Sequence, residues 1–200
     1  MRVRLAQLYG GLVLYGVSSS LLVLAGLGLD PWDVFHQGLA RHTPLAIGTW
    51  AILVGLVVLL LWIPLRQRPG IGTLSNVVLV GATMDLVLGQ VHAPHSMGAR
   101  VACLVCGVFL NGVATGAYIG AGFGPGPRDG LMTGFAARGH SIRVVRTAIE
   151  VLVLATGWLL GGTVGVGTVL YALAIGPLAH VFVPLFARGR PTPEHALEGA

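Results

Sequence analysis

The feature that most constrains this chain is a motif that occurs twice, each time directly after a long apolar segment. Segments 26–38 and 122–134 both have the form G-x-G-x-x-P-x-D-x-x-x-x-G. Aligned without a gap, segments 11–40 and 107–136 are identical at eleven of thirty positions, with a shift of 96 residues. Such self-similarity at a fixed shift indicates an internal repeat. We therefore predict a chain built from two related halves.

Composition assigns both halves to a membrane. Hydrophobic residues make up 54% of the 200 residues and charged residues only 10%, against about 25% charged in soluble domains. All the cations are Arg and lie between apolar segments, which argues against a nucleic-acid partner and for a lipid bilayer. Six segments are long enough to cross a bilayer, which takes about 20 helical residues; they are 5–27, 46–65, 73–91, 100–121, 143–162 and 166–187.

The last part of each half repeats as well. Residues 70–73 are Gly-Ile-Gly-Thr and residues 165–168 are Gly-Val-Gly-Thr, with a shift of 95. Each half thus has three apolar segments and a short insert after the first. We predict an all-α polytopic membrane helix bundle with a first repeat at 1–96, a second repeat at 97–188, and a disordered cytoplasmic tail at 189–200.

Arginine placement predicts the orientation, because Arg and Lys are retained on the cytoplasmic side. With both termini in the cytoplasm, ten of the twelve Arg residues fall on that side, and only Arg41 and Arg100 fall outside. Because each half has three spans, the first half begins on the cytoplasmic side of the membrane and the second half begins on the outer side. The six transmembrane helices are thus predicted to form two inverted-topology repeats, a plan of many secondary transporters, which bind substrate at the repeat interface.

Each insert has the sequence of a short helix, at 31–43 and 127–139. In the first copy, Pro31 suits the first helical position and Asp30 the N-cap, while the Asp33 carboxylate faces the free amide groups of the first turn. Such a helix is too short to span a bilayer. It either re-enters the membrane as a half-helix, which we favour, or lies flat at the interface.

Two interpretations of these helix starts stay open. The acids can serve as helix caps alone, or the two starts can converge on a central cavity and bind a solute. In the second case the substrate site consists of Trp32, Asp33, Arg128 and Asp129. The acids suit a cation or a proton, and Arg128 restores affinity for an anion. Trp32 either stacks on the substrate or anchors at the membrane interface.

Two further pairs of ionisable residues lie in apolar segments. Arg146 and Glu150 are four residues apart and share one helix face, as a structural ion pair or as a coupling site. Asp85 and His180 occupy equivalent positions in the two halves. They are either solvated at the mouths of the bundle or form a proton relay.

The sequence predicts no catalytic, metal or cofactor site. Cys103 and Cys106 lie in an apolar segment and are interpreted as small packing residues. His92 and His95 alone are a weak metal signal. With no H-E-x-x-H motif and no clear Ser–His–Asp set, we do not expect an enzyme.

Four motifs together resemble a known family: Pro-Trp-Asp at 31–33, Pro-Arg-Asp-Gly-Leu-Met at 127–132, Arg-x-x-x-Glu at 146–150 and Gly-x-Gly-Thr at 165–168. The chain looks like the YczE/YyaS/YitT-like group of bacterial multi-pass membrane proteins, closest to its YczE branch, over residues 1–190. The resemblance implies an integral protein of the bacterial inner membrane. It carries over no catalytic residues.

The function predicted from the sequence is secondary transport or facilitated passage of an unknown small solute, charged or polar. Six spans make a thin-walled protein, so a homodimer is a further expectation. The alternative is a non-transporting membrane accessory or scaffold protein that assists a partner, because some such proteins share the inverted-repeat plan.

Overall fold

The computed structural model describes residues 1–187, and this part of the chain is all-helical. The predicted tail at 189–200 lies outside the described residues. Eight helices follow one another: α1 (Arg2–Ala25), α2 (Pro31–Arg41), α3 (Ile47–Leu65), α4 (Ile71–Gln90), α5 (Met97–Gly120), α6 (Pro127–Ala136), α7 (Ile142–Leu159) and α8 (Val166–Phe186).

Five of these helices are long and apolar enough to cross a membrane: α1, α3, α4, α5 and α8. The predicted span 143–162 coincides with α7, which has 18 residues and carries Arg143, Arg146 and Glu150. These charges set α7 apart from the other five. Large apolar side chains such as Leu159 and Leu173 are more than two-thirds exposed on the outer surface, as expected of a surface that contacts lipid.

The short helices α2 and α6 begin at the predicted prolines. In α2 the Asp30 carboxylate accepts hydrogen bonds from the backbone N–H groups of Trp32 and Asp33, at 3.1 and 3.3 Å. This is the N-cap arrangement predicted for Asp30. The turns that lead into the helices need glycine, because Gly28 and Gly124 have φ angles of 117° and 116°.

Helices α1 and α5 pack against each other in opposite directions at the centre of the bundle. Arg4, near the start of α1, donates to the carbonyl oxygens of residues 121 and 122 after α5, at 3.0 and 3.2 Å. Arg100, near the start of α5, donates to those of residues 25 and 26 after α1, at 2.7 and 3.0 Å. Each arginine thus binds the carbonyl end of the other helix.

The two Gly-x-Gly-Thr motifs begin α4 and α8, and each packs on the turn of the other half. The Gly72 N–H donates to the Phe123 carbonyl at 3.0 Å, and the Gly167 N–H donates to the Leu27 carbonyl at 2.8 Å. Thr73 donates its hydroxyl to the Pro125 carbonyl at 2.7 Å. These contacts fix the turns from which α2 and α6 start. Both short helices then pack between α3 and α7.

Candidate functional site

The starts of α2 and α6 meet inside the bundle. Arg128 Nη1, in the first turn of α6, lies 3.6 Å from Asp30 Oδ1 at the start of α2. The Arg128 guanidinium also lies 4.8 Å from the ring centroid of Trp32, within range of a cation–π interaction. Trp62 of α3 donates its indole N–H to the Pro127 carbonyl at 2.9 Å and so fixes the α6 start. Residues of both halves therefore form one site.

Asp33 and His36 form a buried pair on α2. Their side chains are 3% and 1% exposed, and His36 Nδ1 lies 3.0 Å from Asp33 Oδ1. Opposite an ionised carboxylate, Nδ1 of a neutral histidine carries the proton, and Nε2 is left as an acceptor. Within residues 1–187, that Nε2 is buried and has no hydrogen-bond partner. The pair thus presents an unused acceptor inside the bundle.

Burial shifts the protonation equilibria of the α2 start. Burial, reinforced by the nearby Asp33 charge, raises the pKa of Asp30 to about 8, although Arg128 opposes this shift. Burial lowers the pKa of His36 to about 3, and the positive charge of Arg128 acts in the same direction. Both shifts favour the neutral forms of the two side chains, the imidazole of His36 and the protonated carboxyl of Asp30.

Asp129 of α6 belongs to a neighbouring polar cluster. Its Oδ2 accepts a hydrogen bond from the Tyr118 hydroxyl of α5 at 3.0 Å. Asn111, which is on α5 like Tyr118, donates to the Ser18 hydroxyl at 2.9 Å and accepts from the Tyr171 hydroxyl at 3.0 Å. These contacts join α1, α5, α6 and α8 through polar side chains in an otherwise apolar interior.

A small cavity adjoins the α2 and α6 starts. Its volume of ≈ 30 Å³ has room for about one or two water molecules. Trp32, His36 and Arg128 form its polar side together with Asn76 of α4, and apolar residues of α3 and α4 complete it. The cavity therefore has polar side chains around a space the size of about one or two water molecules.

Two of the four predicted substrate residues, Trp32 and Arg128, line this cavity, and a third, Asp33, pairs with His36, which also lines it. Asp129 is on the same short helix as Arg128 but is engaged by Tyr118. Their binding roles stay predictions. Within residues 1–187, no three His, Cys, Asp or Glu residues are grouped closely enough to hold a metal ion.

The other predicted pairs lie elsewhere. Arg146 Nε donates to Glu150 Oε1 at 3.1 Å on α7, and both side chains are partly exposed. Asp85 of α4 accepts hydrogen bonds from the Gly48 N–H and the Thr49 hydroxyl, both at 2.7 Å, so it binds the first turn of α3. His180 is exposed on α8. A relay between Asp85 and His180 stays a prediction.

Sequence reasoning assigned Asp30 only a capping role and gave His36 and Tyr118 no role. The differences between the two copies of the motif indicate that Asp30 contacts the other copy. Where the first copy has Asp30 and Trp32, the second has Gly126 and Arg128. An acid in one copy and a cation in the other suggest a contact between copies, which is what the structure contains.

A family model described as DUF6198, a family of unknown function, matches residues 3–184. The chain is 40% identical over 178 residues to an uncharacterized protein of Haemophilus influenzae, covering 88% of this chain and 82% of that one. It is 34% identical over 179 residues to the uncharacterized membrane protein YczE of Bacillus subtilis, covering 88% and 83%. It is 30% identical over 188 residues to YyaS of Bacillus subtilis, covering 90% and 92%. No solved structure matches the chain.

Proposed function

Because the chain belongs to the DUF6198 family, whose function is unknown, we propose a function from its geometry. The protein is a small-solute secondary transporter or facilitator of the bacterial inner membrane, with its site where α2 and α6 meet. The observation that carries the proposal is the contact of Arg128 with Asp30 and Trp32. Ionisable groups are costly inside a membrane protein and usually mark a substrate or ion pathway.

In this proposal α7 is the sixth span, and the halves are inverted-topology repeats with both termini in the cytoplasm. The reciprocal contacts of Arg4 and Arg100 support the inversion, since each binds the end of the antiparallel helix in the other half. So do the reciprocal contacts of the two Gly-x-Gly-Thr motifs. The short helices α2 and α6 are re-entrant half-helices that start from opposite sides and meet near the midplane, where inverted-repeat transporters bind their substrates.

The charges favour a polar or cationic solute. Three carboxyl groups, those of Asp30, Asp33 and Asp129, lie at the α2 and α6 starts, together with the cation Arg128, which Asp30 and Trp32 already engage. The Nε2 acceptor of His36 needs a hydrogen-bond donor. A small amine or another solute that donates hydrogen bonds therefore complements the site better than an anion does.

Accessibility of the cavity tests this assignment. Asn76→Cys, in a chain whose Cys103 and Cys106 are replaced by Ala, places one thiol in the cavity wall. When the bundle opens during transport, a membrane-impermeant thiol reagent should label it, and small amines should slow the labelling. Leu86→Cys, on the exposed surface of the same helix, is the matched control and should show no protection. A cavity thiol that is never labelled, or is labelled equally with every solute, would contradict the proposal.

A further inference from the structure

The two halves differ in one contact that their repeat relationship would make equivalent. In the first half, α3 packs along α4. In the second half, the corresponding helices α7 and α8 make almost no contact within residues 1–187. The contact of α1 with α5 joins two equivalent helices. Three further contacts come in matched pairs: α1 with α4 and α5 with α8, α2 with α3 and α6 with α7, α3 with α6 and α7 with α2.

The contact between α3 and α4 is close and polar at one end. A Cβ atom added to Gly81 would collide with the Gly48 carbonyl oxygen and lie 2.6 Å from Ile52 Cγ1, so only glycine permits this approach. Asp85 closes the same end by accepting the two hydrogen bonds from Gly48 and Thr49. The first half is therefore shut where α3 begins and α4 ends.

The corresponding surfaces of α7 and α8 in the second half are exposed and do not pack against each other. Helices α3 and α7 begin 95 residues apart, at Ile47 and Ile142, and the Gly-x-Gly-Thr motifs show the same shift. On this shift, Thr147 matches Ile52 and Gly176 matches Gly81. Thr147 and Gly176 are exposed, and a Cβ atom on Gly176 would meet nothing within 4 Å. Since α7 and α8 are joined by a short loop, they diverge from it toward the α7 start.

The α7 side of this gap carries charge. Arg146 and Glu150 match Ala51 and Gly55, two residues that line the cavity beside Trp32. Their side chains are 54% and 36% exposed, which would be costly against lipid. Water in this gap would provide the solvation that the Arg146 and Glu150 side chains need.

We propose that the gap between α7 and α8 is the open solute entrance, and that transport alternates between two states. In the state described here, α3 is shut on α4 by Asp85, and the gap between α7 and α8 is open. In the other state α7 closes on α8, bringing Thr147 to Gly176, while α3 parts from α4. The entrance opens toward the α7 start, the side that Arg placement assigns to the cytoplasm. This inference rests on the proposed function.

Paired cysteines test the closure without any transport measurement. Thr147→Cys with Gly176→Cys, in a chain with Cys103 and Cys106 replaced by Ala, should form a disulfide within one chain in native membranes under oxidant. Thr147→Cys with Leu173→Cys is the matched control, because Leu173 is 71% exposed and matches Val78, which is also exposed. It should form none. Absence of the first disulfide, or formation only between two chains, would overturn the proposal.

A second experiment removes the Asp85 contact and measures the same disulfide. Asp85→Asn weakens the closure of α3 on α4, so it should raise the fraction of the 147–176 disulfide several-fold at a fixed time. An unchanged fraction would overturn the coupling between the two halves. If the disulfide forms as expected but no solute crosses the membrane, the closure stands and the proposed function fails. Arg143→Cys with His180→Cys repeats the test if the first pair does not fold.

Discussion

Arg128 Nη1 in the first turn of α6 lies 3.6 Å from Asp30 Oδ1, the carboxylate that caps α2. The two residues are 98 positions apart, in different halves of the chain. Because each stands at the start of a short helix, this contact holds the two helix starts together. It also places a compensated charge in the interior of a protein that is otherwise apolar.

Arg128→Ala should destabilise the protein by about 1–3 kcal/mol, because the buried Asp30 loses its ion pair. The loss should depend on pH. The pKa of Asp30 is already raised to about 8, and a protonated Asp30 needs no cation, so the loss should be smaller at pH 6 than at pH 9. Thermal unfolding in detergent at both pH values measures this. Asp30→Asn in the same chain should recover part of the stability at pH 9, and an equal loss at both pH values would contradict the account.

Gly130→Ala should destabilise the protein by about 1–3 kcal/mol through overpacking. Its new Cβ atom would collide with the ring of Trp62, which also anchors α6 through Pro127. Gly98→Ala is the control, since nothing lies within 4 Å of a Cβ atom there, and alanine favours a helix by roughly 1 kcal/mol over glycine. Unfolding temperatures of both variants give the comparison. A Gly130→Ala protein as stable as the wild type would show that α6 is not held against α3.

His36 should make the protein sensitive to acid. Its pKa is lowered to about 3 in the folded state, against about 6.5 when unfolded. Between these values the unfolded chain binds the proton first, so stability falls as pH drops from about 6.5 toward 3. His36→Gln should remove this contribution, giving a flatter unfolding temperature between pH 6.5 and 4.5. Parallel pH profiles for the two proteins would show that His36 is not buried in its neutral form.

Arg4→Gln and Arg100→Gln should each destabilise the protein by about 1 kcal/mol, because each leaves helix-end carbonyls without their charged donor. The effects should be similar, since the two arginines make equivalent contacts. Arg2→Gln, at an exposed position on α1, is the control and should change little. Unfolding in detergent compares the three, and a loss from only one of the pair would contradict the equivalence.

Local sequence chemistry was sufficient to predict where the short helices begin. Pro31 and Pro127 set the first helical position, and Asp30 caps as expected. The end of α6 differs from the prediction: the sequence predicts a helix to Gly139, and the helix ends at Ala136. Gly139 has a φ angle of 90°, which a right-handed helix excludes.

Contacts between the halves could not be predicted from local sequence patterns. The pairing of Arg128 with Asp30, like the capping of α3 by Asp85, depends on how whole helices pack, and no local pattern encodes that packing. The separation of α7 from α8 was also invisible, because α4 and α8 have similar apolar sequences. Only the charges of α7, which the sequence did single out as Arg146 and Glu150, hinted that its environment differs.

Uptake into proteoliposomes tests the central claim most directly. Purified protein is compared with protein-free liposomes over a panel of small amines, carboxylates and sugars, alongside Asp33→Asn as the site variant and Arg2→Gln as the surface control. We expect uptake of at least one amine by the wild type and the control, and a loss of at least tenfold in Asp33→Asn. Flux equal to that of protein-free liposomes for every solute, or equal flux in the wild type and Asp33→Asn, would contradict it.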